Sequence, residues 1–280
     1  MIGEARLDVT TPDGHRFELL AQLPDRPIAS LLWLPALGVA ARHYLPFAEA
    51  LAARNIAVFL HEWRGNGSSS LRPGRHQDWG YRELLQHDLP AAEAALHAAL
   101  PGLPMRLGGH SLGGQLGSCY AGQRTDELDA LYLVASGTPW WRSFPPPRGY
   151  LLPLAYRFLP WLADRNGTLP GRRVGFGGTE ARGLIRDWAR VGLSNHYAAA
   201  GLDADLEAGL RRIQAPVAAV VFDADWLAPA SSMRALLAKM PTAPSTLQLL
   251  SSTQLNARAD HFHWMKSPQA VASALLHHDD

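Results

Sequence analysis

The run Gly-Gly-His-Ser-Leu-Gly-Gly at 108–114 holds a G-x-S-x-G in which Ser111 is flanked by Gly109 and Gly113. An apolar stretch at 104–107 leads into it and a small-residue, helix-compatible run at 115–123 follows. A serine at a sharp strand-to-helix turn is forced into a strained backbone conformation. Its hydroxyl then stands clear of the sheet edge, beside a helix N-terminus that favours negative charge. The competing reading is a glycine-rich turn whose serine caps the helix. The strand before and the helix after favour the nucleophile.

A serine hydroxyl is a weak nucleophile at neutral pH. It needs a general base within hydrogen-bond reach and an acid to orient that base. In the α/β-hydrolase arrangement, which this turn resembles, the acid and then the histidine follow in the chain. The acid slot is Phe-Asp-Ala-Asp-Trp-Leu-Ala-Pro at 222–229. Asp225 suits an acid projecting from the loop and is preferred, with Asp223 the rival. The histidine slot is Ala-Asp-His-Phe-His-Trp-Met at 259–265. His261 is chosen over His263, and Asp260 is read as a local loop carboxylate. His110 adjoins Ser111, so its side chain is expected to point away and pack. The oxyanion hole needs two backbone N–H groups. One is expected from Leu112, after the nucleophile, and the other from Leu37 in the loop at 34–39.

These side chains need a scaffold of alternating strands and helices. Strands are expected at 5–10, 15–22, 28–34, 56–60, 104–109, 128–135, 216–222 and 245–250. Helices are expected at 43–54, 81–100 (perturbed by Pro90), from 111, at 229–240 and at 267–276, where Ser267 and Pro268 suit the N-cap and N1 positions. Strands apolar on both faces, alternating with helices, imply a mostly parallel sheet covered on both sides. The alternation stops at 137–212. That stretch is rich in proline, tryptophan and glycine, and is read as an inserted lid of helical and irregular structure. The core is then 1–136 with 213–280.

The chain has 280 residues, 47% of them hydrophobic, and a formal net charge of +1. That suits one large α/β domain and leaves no basic footprint for nucleic acid. The single cysteine, Cys119, can form no internal disulfide and reads as a packed thiol. No basic start precedes an apolar core at the N-terminus, and no apolar run is long enough to span a bilayer. A cytoplasmic protein without integral membrane contact is expected. No Cys/His spacing suggests zinc, and the chemistry needs neither metal nor organic cofactor.

Taken together, the chain resembles the α/β-hydrolase superfamily along essentially its whole length. The resemblance rests on Gly109-His110-Ser111-Leu112-Gly113-Gly114, on Arg64-Gly65-Asn66-Gly67-Ser68-Ser69, and on the late Asp and His. More narrowly, the loop at 34–39, the run at 169–178 and Asp187-Trp188-Ala189-Arg190 are similar to a group of bacterial predicted hydrolases. In that group the segment matching Asp260-His261-Phe262-His263-Trp264 usually reads Gly-His-x-Gly. This puts His261 at the catalytic position and His263 where glycine is common. The resemblance implies an α/β-hydrolase fold and serine hydrolase chemistry through an acyl-enzyme, and supplies no substrate. The aromatic and leucine side chains of 137–212, Trp140, Trp141 and Phe144 among them, point to an ester with an apolar acyl group of short or medium chain. An acyltransferase using the same intermediate, and a binding protein that has lost catalysis, are the competing readings. The fold alone does not choose among them.

Overall fold

A computed structural model describes residues 2–124 and 127–276. Eight strands form one sheet: β1 (Ile2–Thr10), β2 (Arg16–Pro24), β3 (Ala29–Leu34), β4 (Ile56–Leu60), β5 (Met105–His110), β6 (Ala130–Val134), β9 (Val217–Phe222) and β10 (Ser245–Leu250). Two short strands, β7 (Leu169–Pro170) and β8 (Thr179–Glu180), pair with each other outside it. The helices are α1 (Leu45–Ala52), α2 (Tyr81–Glu83), α3 (Leu89–Ala99), α4 (Leu112–Ala121), α5 (Arg148–Asn166), α6 (Gly171–Val174), α7 (Arg182–Ser194), α8 (Leu206–Arg212), α9 (Ala230–Leu237), α10 (Ser252–Leu255) and α11 (Gln269–Leu276).

The sheet order is β1-β2-β4-β3-β5-β6-β9-β10. β2 pairs antiparallel with β1 and β4, and every later pairing is parallel. Every residue of β3, β4, β5, β6 and β9 is buried. That is the pattern of parallel strands covered on both faces, and it accounts for their unbroken apolar runs. β2, joined on both sides by antiparallel pairings, has a mixed burial pattern. This is the α/β-hydrolase fold.

The order also fixes where chemistry can occur. From β3 the chain crosses to β4 on one side, and from β5 to β6 on the other. The loops after β3 and β5 therefore leave adjacent strand ends at a topological switch point, where α/β sheets open a crevice. These are the loops carrying Leu37 and Ser111.

Three local differences from the sequence reading have physical causes. The helix expected at 43–54 begins as a 3-10 turn, Ala41–Tyr44, before α1, whose first turn holds Pro46. The helix expected at 81–100 is α2 and α3 joined by a π-turn, Leu84–Asp88. Pro90 cannot donate the regular backbone bond, and it stands in the first turn of α3, where none is needed. At the C-terminus α11 starts at Gln269, one residue later than a Pro268 N1 position would place it.

Within 137–212, α5 packs on α7, and α8 packs against α4. The turn at 175–178 lies on the loop after β3. Gly38 has φ +72°, and a Cβ there would stand 2.2 Å from the Gly178 nitrogen. No side chain fits between these two backbones.

Candidate active site

The turn between β5 and α4 is strained where the chemistry would occur. Ser111 has φ 55° and ψ −121°, a conformation L-residues avoid and one costing about 1–3 kcal/mol. Its hydroxyl makes no capping bond to α4, which removes the helix-cap reading of this serine. Close packing holds the turn. A Cβ on Gly109 would lie 2.3 Å from the Gly113 carbonyl carbon, and one on Gly113 would lie 2.1 Å from the Leu34 carbonyl oxygen. Ser136 donates from its hydroxyl to the Gly109 carbonyl at 3.1 Å.

The loop after β9 brings Asp225 to His261. Asp225 Oδ2 lies 2.7 Å from His261 Nδ1, and both side chains are buried. The other carboxylate oxygen accepts the Leu227 and Ala228 amides at 2.8 and 3.1 Å. This fixes the carboxylate plane. Asp223 is exposed and makes no side-chain contact of this kind among the described residues. The second histidine has its own partner. His263 Nδ1 lies 2.8 Å from Asp260 Oδ2, and Asp260 Oδ1 accepts the Phe262 and His263 amides at 3.1 and 2.9 Å. Burial pushes the Asp260 carboxyl up, but these bonds outweigh it and hold the group below the usual range. The two Asp–His pairs are thus separate: Asp225–His261 inside, Asp260–His263 at the surface. Among the described residues no hydrogen bond joins the Ser111 hydroxyl to His261, whose bonded ring nitrogen is Nδ1.

His110, the last residue of β5, does pack, but against the site and not away from it. Its ring centre is 4.7 Å from that of His261. Tyr44 Oη lies 2.8 Å from His110 Nδ1 and accepts the Ala36 amide at 2.9 Å. Burial, with the neighbouring His261, holds His110 well below the ordinary histidine range, against a backbone contact from His261 that acts the other way. In a neutral His110, Nδ1 can accept from the Tyr44 hydroxyl. This chain of groups joins the loop after β3 to the histidine loop. It also commits the Ala36 amide, leaving the next one, Leu37 N–H, as the candidate oxyanion donor. Leu112 N–H is the first of α4 and has no acceptor within its helix.

Trp264 anchors the histidine loop from behind. It is fully buried, stacked on Phe222 and edge-on to Phe47, Trp33 and His110. Sequence reasoning assigned no task to Tyr44 or Trp264. A tyrosine in an α1-side turn carries no motif, and only the fold brings it 66 residues along the chain to His110.

Two spaces adjoin these groups. A cavity of about 10 Å³, room for roughly one water, lies between Leu37, Gly38, Leu112, Glu180 and Leu184. Glu180 is buried and accepts the Gly178 amide at 2.6 Å. Burial pushes its carboxyl up to about 7, against that hydrogen bond. An open groove of about 540 Å³ lies beside Asp225, walled by Phe144, Pro145, Pro147 and Trp226.

Against known proteins, residues 25–253 match the family model described as serine aminopeptidase, S33. The match includes Ser111 and Asp225 and stops short of His261. Nothing among the curated proteins matches the chain. Among solved structures it is similar to a hydrolase from Pseudomonas aeruginosa PA01, with 22% identity, 97% of each chain covered and a TM-score of 0.61. It is similar to Est1E from Butyrivibrio proteoclasticus, solved with ferulic acid, at 14% identity, 98% of each chain and a TM-score of 0.66. It is similar also to the esterase domain of a Rhodothermus marinus protein, at 18% identity, 98% of this chain, 94% of that one and a TM-score of 0.62. The family match spans most of the chain, and the chain belongs to the serine aminopeptidase S33 family of α/β hydrolases.

Proposed function

We propose that the protein is a serine carboxylesterase acting through an acyl-enzyme. The observation that carries this reading is the buried 2.7 Å contact of Asp225 with His261 on the loops flanking a strained, uncapped Ser111. His261 Nε2 takes the hydroxyl proton as Ser111 Oγ attacks the ester carbonyl. Asp225 holds the tautomer with Nδ1–H and stabilises the imidazolium. The Leu37 and Leu112 amides receive the oxyanion. The alcohol leaves with the proton from His261, and water, deprotonated by the same ring, releases the acid.

The groove walled by Phe144, the proline run and Trp226 supports an apolar acyl group of short or medium length. The segment 137–212 acts as a lid, and the small space at Leu37 and Leu112 requires it to shift before substrate enters. The family description favours a second reading, cleavage of an amide next to a free amine. Hydrolysis of p-nitrophenyl esters of increasing chain length, compared with aminoacyl p-nitroanilides, tests both. Ester turnover that exceeds anilide turnover and is lost in Ser111→Ala is the expected result. Turnover of anilides alone overturns the esterase reading. An alcohol acceptor that raises acyl transfer above hydrolysis would make the protein an acyltransferase.

A further inference from the structure

Helix α5 is apolar on two faces. Gly149, Tyr156, Leu159 and Ala163 are buried, on the side that meets α7. On another side Tyr150, Leu151, Leu154, Phe158 and Trp161 stay 49–68% exposed. At the angular step of an α-helix these five fall within an arc of about 100°, so they form one stripe. The Phe158 and Trp161 rings are 5.7 Å apart, and Tyr150 is 6.5 Å from Trp141. At the start of the helix the Arg148 guanidinium lies 5.4 Å from the Trp226 ring. Trp226 is itself exposed, follows Asp225 and walls the groove. The stripe therefore begins at the candidate site and runs away from it. Folded monomers scatter exposed apolar side chains; a contiguous patch marks a contact surface.

The charge of the chain segment that carries the stripe says what covers it. Residues 140–176 contain six arginines and one acid, Asp164, a balance of +5 in a chain whose net charge is +1. Arg142, Arg148, Arg157, Arg165, Arg172 and Arg173 are all exposed. A second copy fits poorly, because two-fold pairing sets this patch against itself and arginine against arginine. Five half-exposed large side chains also offer only about 500 Å², short of the roughly 800 Å² per partner of a stable complex. No helix among the described residues is long and apolar enough to cross a membrane, and α5 carries charges along its length.

We propose that this face of α5 docks the protein on an anionic phospholipid bilayer. The helix lies flat, with the stripe in the headgroup–acyl boundary and the arginines on lipid phosphates. Trp226 and the groove then face the bilayer surface. Docking needs no bond to Ser111, so it stands apart from the proposed catalysis.

Co-sedimentation of the full chain with vesicles tests it without turnover. Binding to phosphatidylcholine–phosphatidylglycerol vesicles, weak binding to phosphatidylcholine alone and release by salt are expected. The combined Leu154→Ser, Phe158→Ser and Trp161→Ser variant should lose about tenfold or more in partitioning, with its melting curve unchanged. If that variant melts early, the single Leu154→Asp exchange, at a 65% exposed position, repeats the test. The proposal is overturned if anionic vesicles pellet none of the protein, or if the stripe variants bind as well as wild type. A dimer that the stripe variants dissociate, without vesicle binding, would overturn it in favour of a second copy.

Discussion

Two buried charged clusters border the loop after β3, and they are built to opposite ends. In the first, Arg64 bonds both Asp88 oxygens at 2.8 Å and holds Asp13 at 2.8 and 3.0 Å. His15 joins Asp88 through Nδ1 at 3.1 Å and Ser69 through Nε2 at 2.9 Å. Burial alone would raise the Asp13 carboxyl, but the Arg64 bonds and charge hold it well below the usual range. Both nitrogens of His15 are used, and the turn at 64–69 is locked. In the second, His261 bonds Asp225 through Nδ1, and among the described residues no hydrogen bond joins it to the Ser111 hydroxyl. A closed network fixes shape, whereas an open pair beside a strained serine keeps a group available to move a proton.

Removing groups from the open cluster should have the largest effect. Ser111→Ala and His261→Ala should each lower kcat by about 10⁴-fold or more, and Asp225→Asn by about 10⁴-fold through the wrong tautomer, in steady-state ester hydrolysis. Melting temperatures should change little. The closed cluster should respond the other way. Arg64→Ala leaves the buried Asp88 with the His15 contact alone, and should cost about 3–5 kcal/mol in urea unfolding.

Glu180 gives an effect that depends on pH. Its folded value of about 7 lies above the ordinary 4.5, so the folded chain holds a proton that the unfolded chain has released between these values. Stability from this group therefore falls as pH rises from 4.5 to 7 and is flat beyond. Glu180→Gln keeps the acceptor for the Gly178 amide. It should stabilise the protein by about 3 kcal/mol above pH 7 and not at all below pH 4.5, measured by thermal melts across that range. The smallest effect is expected at Tyr44. Tyr44→Phe strands the Ala36 amide and the His110 ring nitrogen, at about 1–3 kcal/mol. A parallel loss of kcat without a change in KM would place this pair among the positioning groups of the site.

The fold was legible because its signals are local. Apolar runs at β3, β4, β5, β6 and β9 read as buried parallel strands, and the ends of β4 and β10 match the sequence reading to the residue. Ser111 was legible because the glycines at 109 and 113 have one physical cause, the close approach of β5, α4 and the end of β3. Loop position favoured Asp225 over Asp223 and His261 over His263, but it did not show which aspartate meets which histidine. All four side chains lie in loops, and which pair meets depends on loop paths set by Trp264 and by the Asp225 turn. The Tyr44–His110 link and the exposed stripe of α5 were hidden for a similar reason. The first joins residues distant in sequence. The second comes from a helix apolar on two faces, whose pattern does not tell which of them is covered.

If His261, and not His263, activates Ser111, covalent labelling of the serine will depend on His261 alone. Intact mass after treatment with a fluorophosphonate, for wild type, Ser111→Ala, His261→Ala and His263→Ala, tests it most directly. One adduct is expected on wild type and on His263→Ala, none on Ser111→Ala, and labelling slowed by orders of magnitude on His261→Ala. An unlabelled, folded wild-type protein, or a His261→Ala variant that labels as fast as wild type, would contradict it.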